Sequence, residues 1–222
     1  MKLSVIIPTR NRSAVLRRSL ESLCQQTLFE EMFDIWVIDN GSTDNTALMC
    51  EEFCTKLPNL KYHLEPIPGL HSGRHAGLML SSSDILVFAD DDIRAFPTWL
   101  EGIAETFNNP KVALVGGKNL PDYVHTPPQW LDDLWRYNEY GRCLGYLALL
   151  DFGDVVRSIP PTYIWGCNFA IQRSILIECG GFHPDGMPNE MIRYRGDGET
   201  AVSRYVQKKG YLSIYNPKAS VY

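Results

Sequence analysis

The 222-residue sequence contains no stretch that approaches the roughly 20 uncharged apolar residues of a membrane-spanning helix. Its opening segment, cut by Pro8 and Arg10, is too short for a signal peptide. The six cysteines include no C-x-x-C pair, which argues against a disulfide or metal framework. A formal charge of −5 without a dense Lys/Arg tract argues against a nucleic-acid partner. These absences predict a soluble cytoplasmic protein.

The first half of the chain alternates short β-rich runs with helical stretches. The predicted strands cover residues 3–7, 35–38, 60–64, 85–88 and 112–115, and the predicted helices cover 14–26, 46–56, 71–80 and 99–107. Solid Val/Ile runs are typical of strands buried on both faces, as in a parallel sheet with helices above and below. We therefore expect one α/β domain over residues 1–222.

After residue 120 the alternation of strands and helices stops in an aromatic-rich segment, residues 130–152, preceded by Pro127 and Pro128. We expect this segment to be irregular or loosely helical. It could cover the core, form a lid over a site, or contact a partner or a membrane surface. The remaining sequence predicts an apolar strand, a helix, an acidic turn, another helix and a last strand.

Polar segments follow the predicted strands where they end, which is where doubly wound sheets bind ligands. They are PTRNR (8–12), DNGSTD (39–44), DDD (90–92) and GGKN (116–119). Thr9, Arg10 and Asp39 could be simple caps or turn residues. Asn11 or Ser13 is expected to cap the first helix. Because Asp44 or Ser42 is better placed to cap the second helix, Asp39 remains available to a base or ribose.

Three adjacent carboxylates, Asp90, Asp91 and Asp92, repel one another unless they are solvated or neutralised by a cation. At strand spacing, Asp90 and Asp92 would project to the same side. Their oxygens suit Mg²⁺ or Mn²⁺, with water and substrate phosphate completing the coordination. A wet acidic loop and a metal site both fit this pattern.

Two further segments have both structural and functional interpretations. GLHSGRHAGL (69–78) places Arg74 near a helix start, where it could hold a pyrophosphate, although close helix–sheet packing explains Gly73 and Gly77 equally well. In RGDGET (195–200), Asp197 could cap a helix with Glu199 complementing its dipole, or a carboxylate could act as a general base.

Six segments, VIIPTRNR, VIDNGSTDNT, GLHSGRHAGL, FADDD, GCNFAIQRSILIECGGF and GDGETAVSRYVQKKGY, resemble in that order the family 2 glycosyltransferases of the GT-A fold. The resemblance covers nearly the whole chain and implies a Rossmann-like, mostly parallel central sheet flanked by helices. It implies transfer of a sugar from a nucleotide-diphosphate donor, usually UDP-linked, to an acceptor hydroxyl with inversion. A Mn²⁺ or Mg²⁺ ion would bridge the diphosphate.

The resemblance also implies site residues. Residues 1–117 would bind the nucleotide sugar and residues 118–222 the acceptor. The implied residues are Pro8, Thr9, Arg10, Asp39, Arg74, Asp90 and Asp91 for the nucleotide, Asp92 with Asp90 for the metal, Gly166, Cys167 and Asn168 beside the sugar and acceptor, and Glu199 then Asp197 as the catalytic base.

The sequence departs from the family pattern at three places. Counting back from Gly210 aligns Glu199 with the usual catalytic Asp, and Asp197 precedes it. His75 stands where the family often has Asn. The sequence stops at Tyr222, where many relatives place a metal-assisting His, so we expect a C-terminal truncation. The implied acceptor is a carbohydrate or glycolipid in polysaccharide or glycolipid assembly, with peripheral association at the inner membrane face as one option.

Three alternatives compete with this interpretation. A sugar-1-phosphate nucleotidyltransferase should carry a Gly-rich loop after the first strand, and PTRNR has no glycine. A phosphatase of the Asp-x-Asp type has its nucleophile after the first strand, whereas the Asp cluster here follows the fourth. A non-catalytic nucleotide-sugar-binding protein would share the pocket without turnover.

Overall fold

The computed structural model describes residues 1–183 and 198–222. Within them lie an eight-stranded sheet with helices on both faces and a separate three-stranded sheet. The strands are β1 (Leu3–Thr9), β2 (Phe33–Asp39), β3 (Leu60–Leu64), β4 (Ile85–Ala89), β5 (Val112–Gly116), β6 (Arg136–Tyr137), β7 (Arg142–Leu144), β8 (Leu149–Asp151), β9 (Arg157–Ser158), β10 (Asn168–Gln172) and β11 (Leu212–Tyr215). The helices are α1 (Ser13–Leu23), α2 (Thr46–Phe53), α3 (Leu70–Leu80), α4 (Trp99–Phe107), α5 (Arg173–Glu178) and α6 (Glu199–Lys209).

The large sheet has the strand order β3-β2-β1-β4-β10-β5-β11-β9. β1 pairs in parallel with both β2 and β4, and β2 pairs in parallel with β3. β10 lies between β4 and β5 and is antiparallel to both, and β9 is antiparallel to β11. The carboxyl ends of β1, β2 and β4 therefore lie side by side at one edge of the sheet. This confirms the predicted mostly parallel α/β sheet.

Two apolar layers hold the sheet between its helices. On β1, Leu3, Val5 and Ile7 pack with α1, α2 and α4, whereas Ile6 packs with α3, α5 and α6. These four side chains are fully buried, and each contributes about 1.5–3 kcal/mol of apolar burial. A strand buried on both faces needs apolar residues at successive positions, which explains the solid Val/Ile runs.

The predicted strand 60–64 and helix 99–107 coincide with β3 and α4. α1 ends at Leu23, before the predicted residue 26. Beyond it, the N–H groups of Gln25 and Gln26 donate to carbonyls three residues back, so the last turn is tighter than an α-helix. Among the described residues, no helix combines the length and apolar character needed to cross a bilayer.

The structure corrects the expectation for the aromatic-rich segment 130–152. Part of it belongs to the 3-10 helix Gln129–Leu134, but β6, β7 and β8 form an antiparallel sheet. Strands of two or three residues are too short to display an alternating pattern, so they could not be predicted from sequence periodicity. Leu131, Trp135 and Leu144 form their own small buried cluster under this sheet.

Candidate active site

The loops that follow β1, β2 and β4 surround a cleft of about 430 Å³ at the carboxyl edge of the sheet. Adjacent parallel strands bring these loops together although they are far apart in sequence. The lining residues are Pro8, Thr9, Arg10, Arg12, Asn40, Gly69, Leu70, Asp90, Asp91 and Asp92. Six of the predicted nucleotide or metal residues thus share one cleft: Pro8, Thr9, Arg10, Asp90, Asp91 and Asp92.

The three consecutive aspartates do not share one environment. Asp91 is 4% exposed, and its two oxygens accept hydrogen bonds from Thr9 Oγ1 at 2.6 Å and from the Arg12 guanidinium at 2.7 Å. The side chains of Asp90 and Asp92 are 41% and 49% exposed. The cleft therefore presents two carboxylates of an Asp-x-Asp pair, while the middle one fixes the loop from inside.

Arg12 is a further residue of the first cleft, and the sequence pattern alone did not single it out. Its guanidinium contacts Asp91 at 2.7 Å and Asp92 at 2.8 Å. The hydrogen bond to Asp92 is the main reason that the pKa of Arg12 is raised. The available signal was electrostatic, because three adjacent carboxylates need a positive neighbour and PTRNR holds two arginines at a strand end.

Crowded protein atoms around the cleft raise the pKa of Asp90 to about 6, because burial disfavours its charged form. Arg74 opposes this shift, and the charges of Asp92 and Glu199 add to it.

Across residues 1–183 and 198–222, no group of three or more His, Cys, Asp or Glu side chains could hold a metal ion. Two carboxylates with free coordination positions still fit Mg²⁺ or Mn²⁺, which keep water and phosphate ligands.

Arg74 does not line the first cleft and pairs with Glu199 instead. It is 2% exposed, and its Nη1 donates to Glu199 Oε1 at 2.6 Å, while Asp90 lies 4.0 Å from its other terminal nitrogen. The guanidinium also stacks 5.1 Å from the centre of the Phe182 ring. The contacts of Arg74 are thus with protein groups; its predicted contact with a pyrophosphate stays a prediction.

Glu199 begins α6, and its side chain is 17% exposed. Gly166 passes directly over the Arg74–Glu199 pair. A Cβ at this position would lie 1.9 Å from Glu199 Oε1 and 2.2 Å from Arg74 Nη2, so only glycine fits without moving the pair. The predicted catalytic candidate Asp197 lies outside the described residues.

Cys167 and Asn168 follow Gly166 but occupy different surroundings. Cys167 lines a second cleft of about 420 Å³, and burial raises the pKa of its thiol. Asn168 is 1% exposed; its side chain accepts from Trp99 Nε1 and donates to the Asn119 side chain and the Ala219 carbonyl. Asn168 therefore supports the loop from behind, and its predicted contact with sugar or acceptor stays a prediction.

The second cleft shares Asp90 and Asp92 with the first. Its other walls are largely apolar and come from both halves of the chain, with Tyr222 at the chain's last position beside them. The remaining lining residues are Ile93, Asn119, Leu120, Pro121, Asp122, Tyr123, Leu147, Ala148, Leu149, Cys167 and Val221. The Asp-x-Asp pair thus stands at the junction of two cavities.

Asp39 is 1% exposed and is not among the residues that line the first cleft, although its neighbour Asn40 is. Its two oxygens accept from the Ser42 N–H at 2.7 Å and from the Tyr62 hydroxyl at 2.8 Å, and burial raises the pKa of Tyr62. Each oxygen keeps a lone pair for a further donor. The predicted contact of Asp39 with a base or ribose is compatible with this geometry but stays a prediction.

Asp44 serves both helix starts. It accepts from the Thr46 N–H and hydroxyl at the start of α2, although Asn45 rather than Asp44 occupies the cap position, and also from the Ser13 N–H at 3.0 Å at the start of α1. The expectation that Asn11 or Ser13 caps α1 is wrong, because Arg12 occupies the cap position and makes no side-chain cap bond. Asn11 instead accepts from the Thr43 N–H with a left-handed φ of 54°.

The glycines of α3 are explained by packing. A Cβ at Gly73 would lie 2.7 Å from Asn40 Oδ1 and 2.9 Å from Pro8 Cβ, and one at Gly77 would lie 2.3 Å from Ile6 Cγ2. The helix therefore approaches β1 more closely than any other residue type allows. This confirms the packing interpretation of these glycines.

Residues 4–180 match the family described as Glycosyl transferase family 2. The chain is 26% identical over 239 residues to a glucosyl-dolichyl phosphate glucuronosyltransferase of Haloferax volcanii, covering 100% of this chain and 68% of the relative. It is 28% identical over 208 residues to a validoxylamine A glucosyltransferase of Streptomyces hygroscopicus subsp. limoneus, covering 82% of this chain and 47% of the relative.

Solved structures show the same fold. The mannosyltransferase PcManGT from Pyrobaculum calidifontis in complex with GDP-Man and Mn²⁺ superposes with a TM-score of 0.70 at 20% identity, over 99% of this chain and 56% of that chain. S. aureus TarS 1-349 in complex with UDP superposes with a TM-score of 0.68 at 18% identity, over 100% of this chain and 60% of that chain. The expected GT-A fold is confirmed.

The chain spans from about half to about two thirds of the length of these relatives. The family match extends over both predicted halves and includes the loops of the first cleft, Gly166 and Cys167. This match favours a glycosyltransferase over the nucleotidyltransferase and phosphatase alternatives. On this match, the chain belongs to glycosyl transferase family 2.

Proposed function

We propose that the chain transfers a sugar from a nucleotide-diphosphate donor to an acceptor hydroxyl by a metal-assisted single displacement with inversion. The observation that carries this proposal is the set of contacts around Asp90. Asp90 belongs to the exposed Asp-x-Asp pair and lies 4.0 Å from the buried Arg74, and Arg74 in turn donates to the carboxylate of Glu199. This arrangement supports a proposed site for a diphosphate-bound cation beside a candidate base.

In this proposal Asp92 and Asp90 hold a Mn²⁺ or Mg²⁺ ion, which would supply positive charge beside the departing diphosphate. Glu199 accepts the proton of the acceptor hydroxyl while the acceptor oxygen forms its bond to the anomeric carbon and the bond to the diphosphate breaks. Arg74 already donates to Oε1 of Glu199, so we assign the proton to Oε2. Asp197 is the second candidate for the base.

The donor is proposed to occupy the first cleft and the acceptor the second. All residues of the first cleft fall within residues 1–117, whereas the second adds residues from 118–222. This distribution supports the proposed division into a donor half and an acceptor half. Pro8, Thr9, Arg10, Asp39 and Asp91 are proposed to position or frame the nucleotide.

A UDP-sugar is the proposed donor, and a carbohydrate or glycolipid is the proposed acceptor. The solved relatives bind GDP-Man, UDP and UDP-GlcNAc, and one named relative acts on a dolichyl phosphate glycolipid. The apolar wall of the second cleft supports an acceptor with an apolar part. If the acceptor is a glycolipid, the proposed reaction takes place at a membrane surface, and we propose its inner face.

Calorimetric titration with UDP, GDP and ADP, each with and without Mn²⁺, tests the donor assignment. We expect Mn²⁺-dependent binding of UDP above the other two nucleotides. If GDP binds more tightly than UDP, the proposed mechanism stands and the proposed donor becomes a GDP-sugar. If no nucleotide binds under any condition, the proposal is wrong.

A Glu199→Gln variant tests catalysis, with release of nucleoside diphosphate from UDP-GlcNAc or GDP-Man in water as the readout. We expect turnover to fall by about 10²–10⁴-fold with unchanged UDP affinity. Glu178→Gln is the matched control, because Glu178 pairs with Lys209 on the surface. Full turnover in Glu199→Gln would show that Glu199 is not the catalytic base and would leave Asp197 as the candidate. Binding without turnover in the unmodified chain would favour the non-catalytic alternative.

A further inference from the structure

Arg12 bridges two neighbouring carboxylates that differ in exposure. One terminal nitrogen lies 2.7 Å from Asp91 Oδ1, and the other lies 2.8 Å from Asp92 Oδ2. The Asp91 side chain is 5% exposed, whereas those of Arg12 and Asp92 are 45% and 49% exposed. The contact with Asp91 is therefore sheltered from water, while the contact with Asp92 is screened and easily exchanged.

Hydrogen bonds hold the backbone on both sides of Arg12. The Arg12 carbonyl accepts the first hydrogen bonds of α1, from Val15 and Leu16. Asn11, on its other side, bonds to the loop after β2 through Ser42 and Thr43. The exposed guanidinium is therefore carried by a hydrogen-bonded stretch of backbone at the first cleft.

Arg12 is also a cation in contact with the exposed end of the Asp-x-Asp pair. Arg74, which also lies near the pair, is 2% exposed and bonded to Glu199, and it lies on the Asp90 side. A metal ion that used the Oδ2 atom of Asp92 would meet the Arg12 guanidinium already in place. The arrangement sets two cations in competition for one carboxylate oxygen.

A diphosphate offers Arg12 another partner. Arginine binds phosphate oxygens through the same paired N–H groups that it uses for carboxylates. We propose that Arg12 is an internal counter-cation that holds Asp92 until a donor diphosphate draws its guanidinium away, so that divalent-cation binding and donor binding are coupled through this side chain. The inference rests on the proposed function, because it assigns the first cleft to a nucleoside diphosphate.

The test is the affinity of the chain for Mn²⁺, measured calorimetrically with and without saturating UDP, in the unmodified chain and in Arg12→Met. Without UDP, we expect Arg12→Met to bind Mn²⁺ roughly tenfold more tightly, because the competing guanidinium is gone. With UDP, the two proteins should differ little. The enhancement of Mn²⁺ affinity by UDP should therefore shrink by about the same factor.

Two further variants separate this role from general electrostatics. Arg17→Met removes the same charge from α1, where Arg17 pairs with Glu52, and it should leave both Mn²⁺ affinities unchanged. Arg12→Lys keeps the charge without the paired donors, and its coupling should lie between those of the unmodified chain and Arg12→Met. Thermal melting of each variant checks that the fold is retained.

Equal tightening of Mn²⁺ binding with and without UDP would show that Arg12 acts only as a local charge, and it would overturn the inference. Unchanged Mn²⁺ affinity in Arg12→Met would do the same. Both results leave the proposed function standing when UDP and Mn²⁺ bind together. Absence of Mn²⁺ binding in every variant, with and without UDP, would remove the proposed function and this inference together.

Discussion

Two ion pairs in the same site differ in their access to water. Arg74 and Glu199 are 2% and 17% exposed, whereas Arg12 and Asp92 are 45% and 49% exposed. A buried pair is costly to break because one charge is left without solvent, while an exposed pair exchanges its partners at little cost. The comparison suggests that the protein fixes its candidate base and leaves its candidate metal ligand adjustable.

Arg74→Met would break the buried pair and should have the largest effect. It leaves Glu199 charged beside Asp90 without its counterion, so we expect the free energy of unfolding to fall by about 3–5 kcal/mol. Urea denaturation measures this change. Arg74→Lys keeps the charge and should recover part of the loss. A change below about 1 kcal/mol in Arg74→Met would show that water reaches the pair and would cancel the contrast.

Gly166→Ala disturbs the same pair without removing either charge. The added Cβ would lie 1.9 Å from Glu199 Oε1, so the carboxylate must move, and overpacking of this kind costs about 1–3 kcal/mol. We expect a large loss of turnover together with this modest loss of stability, because a small displacement of the candidate base disrupts its alignment with the substrate. Donor hydrolysis and urea denaturation measure the two effects.

Gly145→Ala is the matched control for Gly166→Ala. A Cβ at Gly145 has no atom within 4 Å and its backbone does not require glycine, so neither stability nor turnover should change noticeably. Equal behaviour of the two variants would mean that Gly166 is not needed to hold the Arg74–Glu199 pair in place.

Sequence patterns predicted most of the residues that line the proposed nucleotide cleft, but not the buried contacts behind it. Strand ends are visible as polar residues after solid apolar runs, and adjacent parallel strands bring them together, so Thr9 and the Asp-x-Asp pair could be placed in one cleft. The pairing of Arg74 with Glu199 joins residues 125 positions apart through tertiary packing. No local pattern encodes that contact.

The small sheet β6-β7-β8 was missed for another reason. Its strands are two or three residues long, so pairing partners rather than sequence alternation determine them. Arg12 belongs to the PTRNR segment, yet its contacts depend on the direction of its side chain, which the sequence does not show. The Asp91 carboxylate, inaccessible between Thr9 and Arg12, explains that direction.

Asp44→Ala loosens the loop that carries Arg12 and should have a moderate effect. Its hydrogen bonds to Thr46 are the main reason that the pKa of Asp44 is lowered to about 2. Because the folded pKa lies below the ordinary value, its stabilisation is present above about pH 4 and is lost as the pH falls toward 2. At neutral pH we expect the variant to lose about 0.5–2 kcal/mol, toward the lower end because Asp44 is exposed.

Urea denaturation at neutral pH and near pH 3 checks this sign, since the difference between Asp44→Ala and the unmodified chain should narrow at the lower pH. Glu51→Ala on the exposed face of α2 is a suitable control. A difference that is constant over this range would show that the cap does not depend on the charge of Asp44.

Arg12→Met should have a much smaller effect on stability than Arg74→Met, although it removes two ion contacts. The contact with Asp92 is screened by water and contributes little, while the buried Asp91 carboxylate loses its contact with Arg12 but keeps its hydrogen bond from Thr9, so we expect a loss of about 1 kcal/mol. Mn²⁺ should restore stability in this variant more than in the unmodified chain, because a bound ion can replace the missing positive charge. Thermal melting with and without Mn²⁺ measures both quantities. A loss as large as that of Arg74→Met would mean that the exposed pair is as essential to the fold as the buried one, and that Asp92 is not free to change partners.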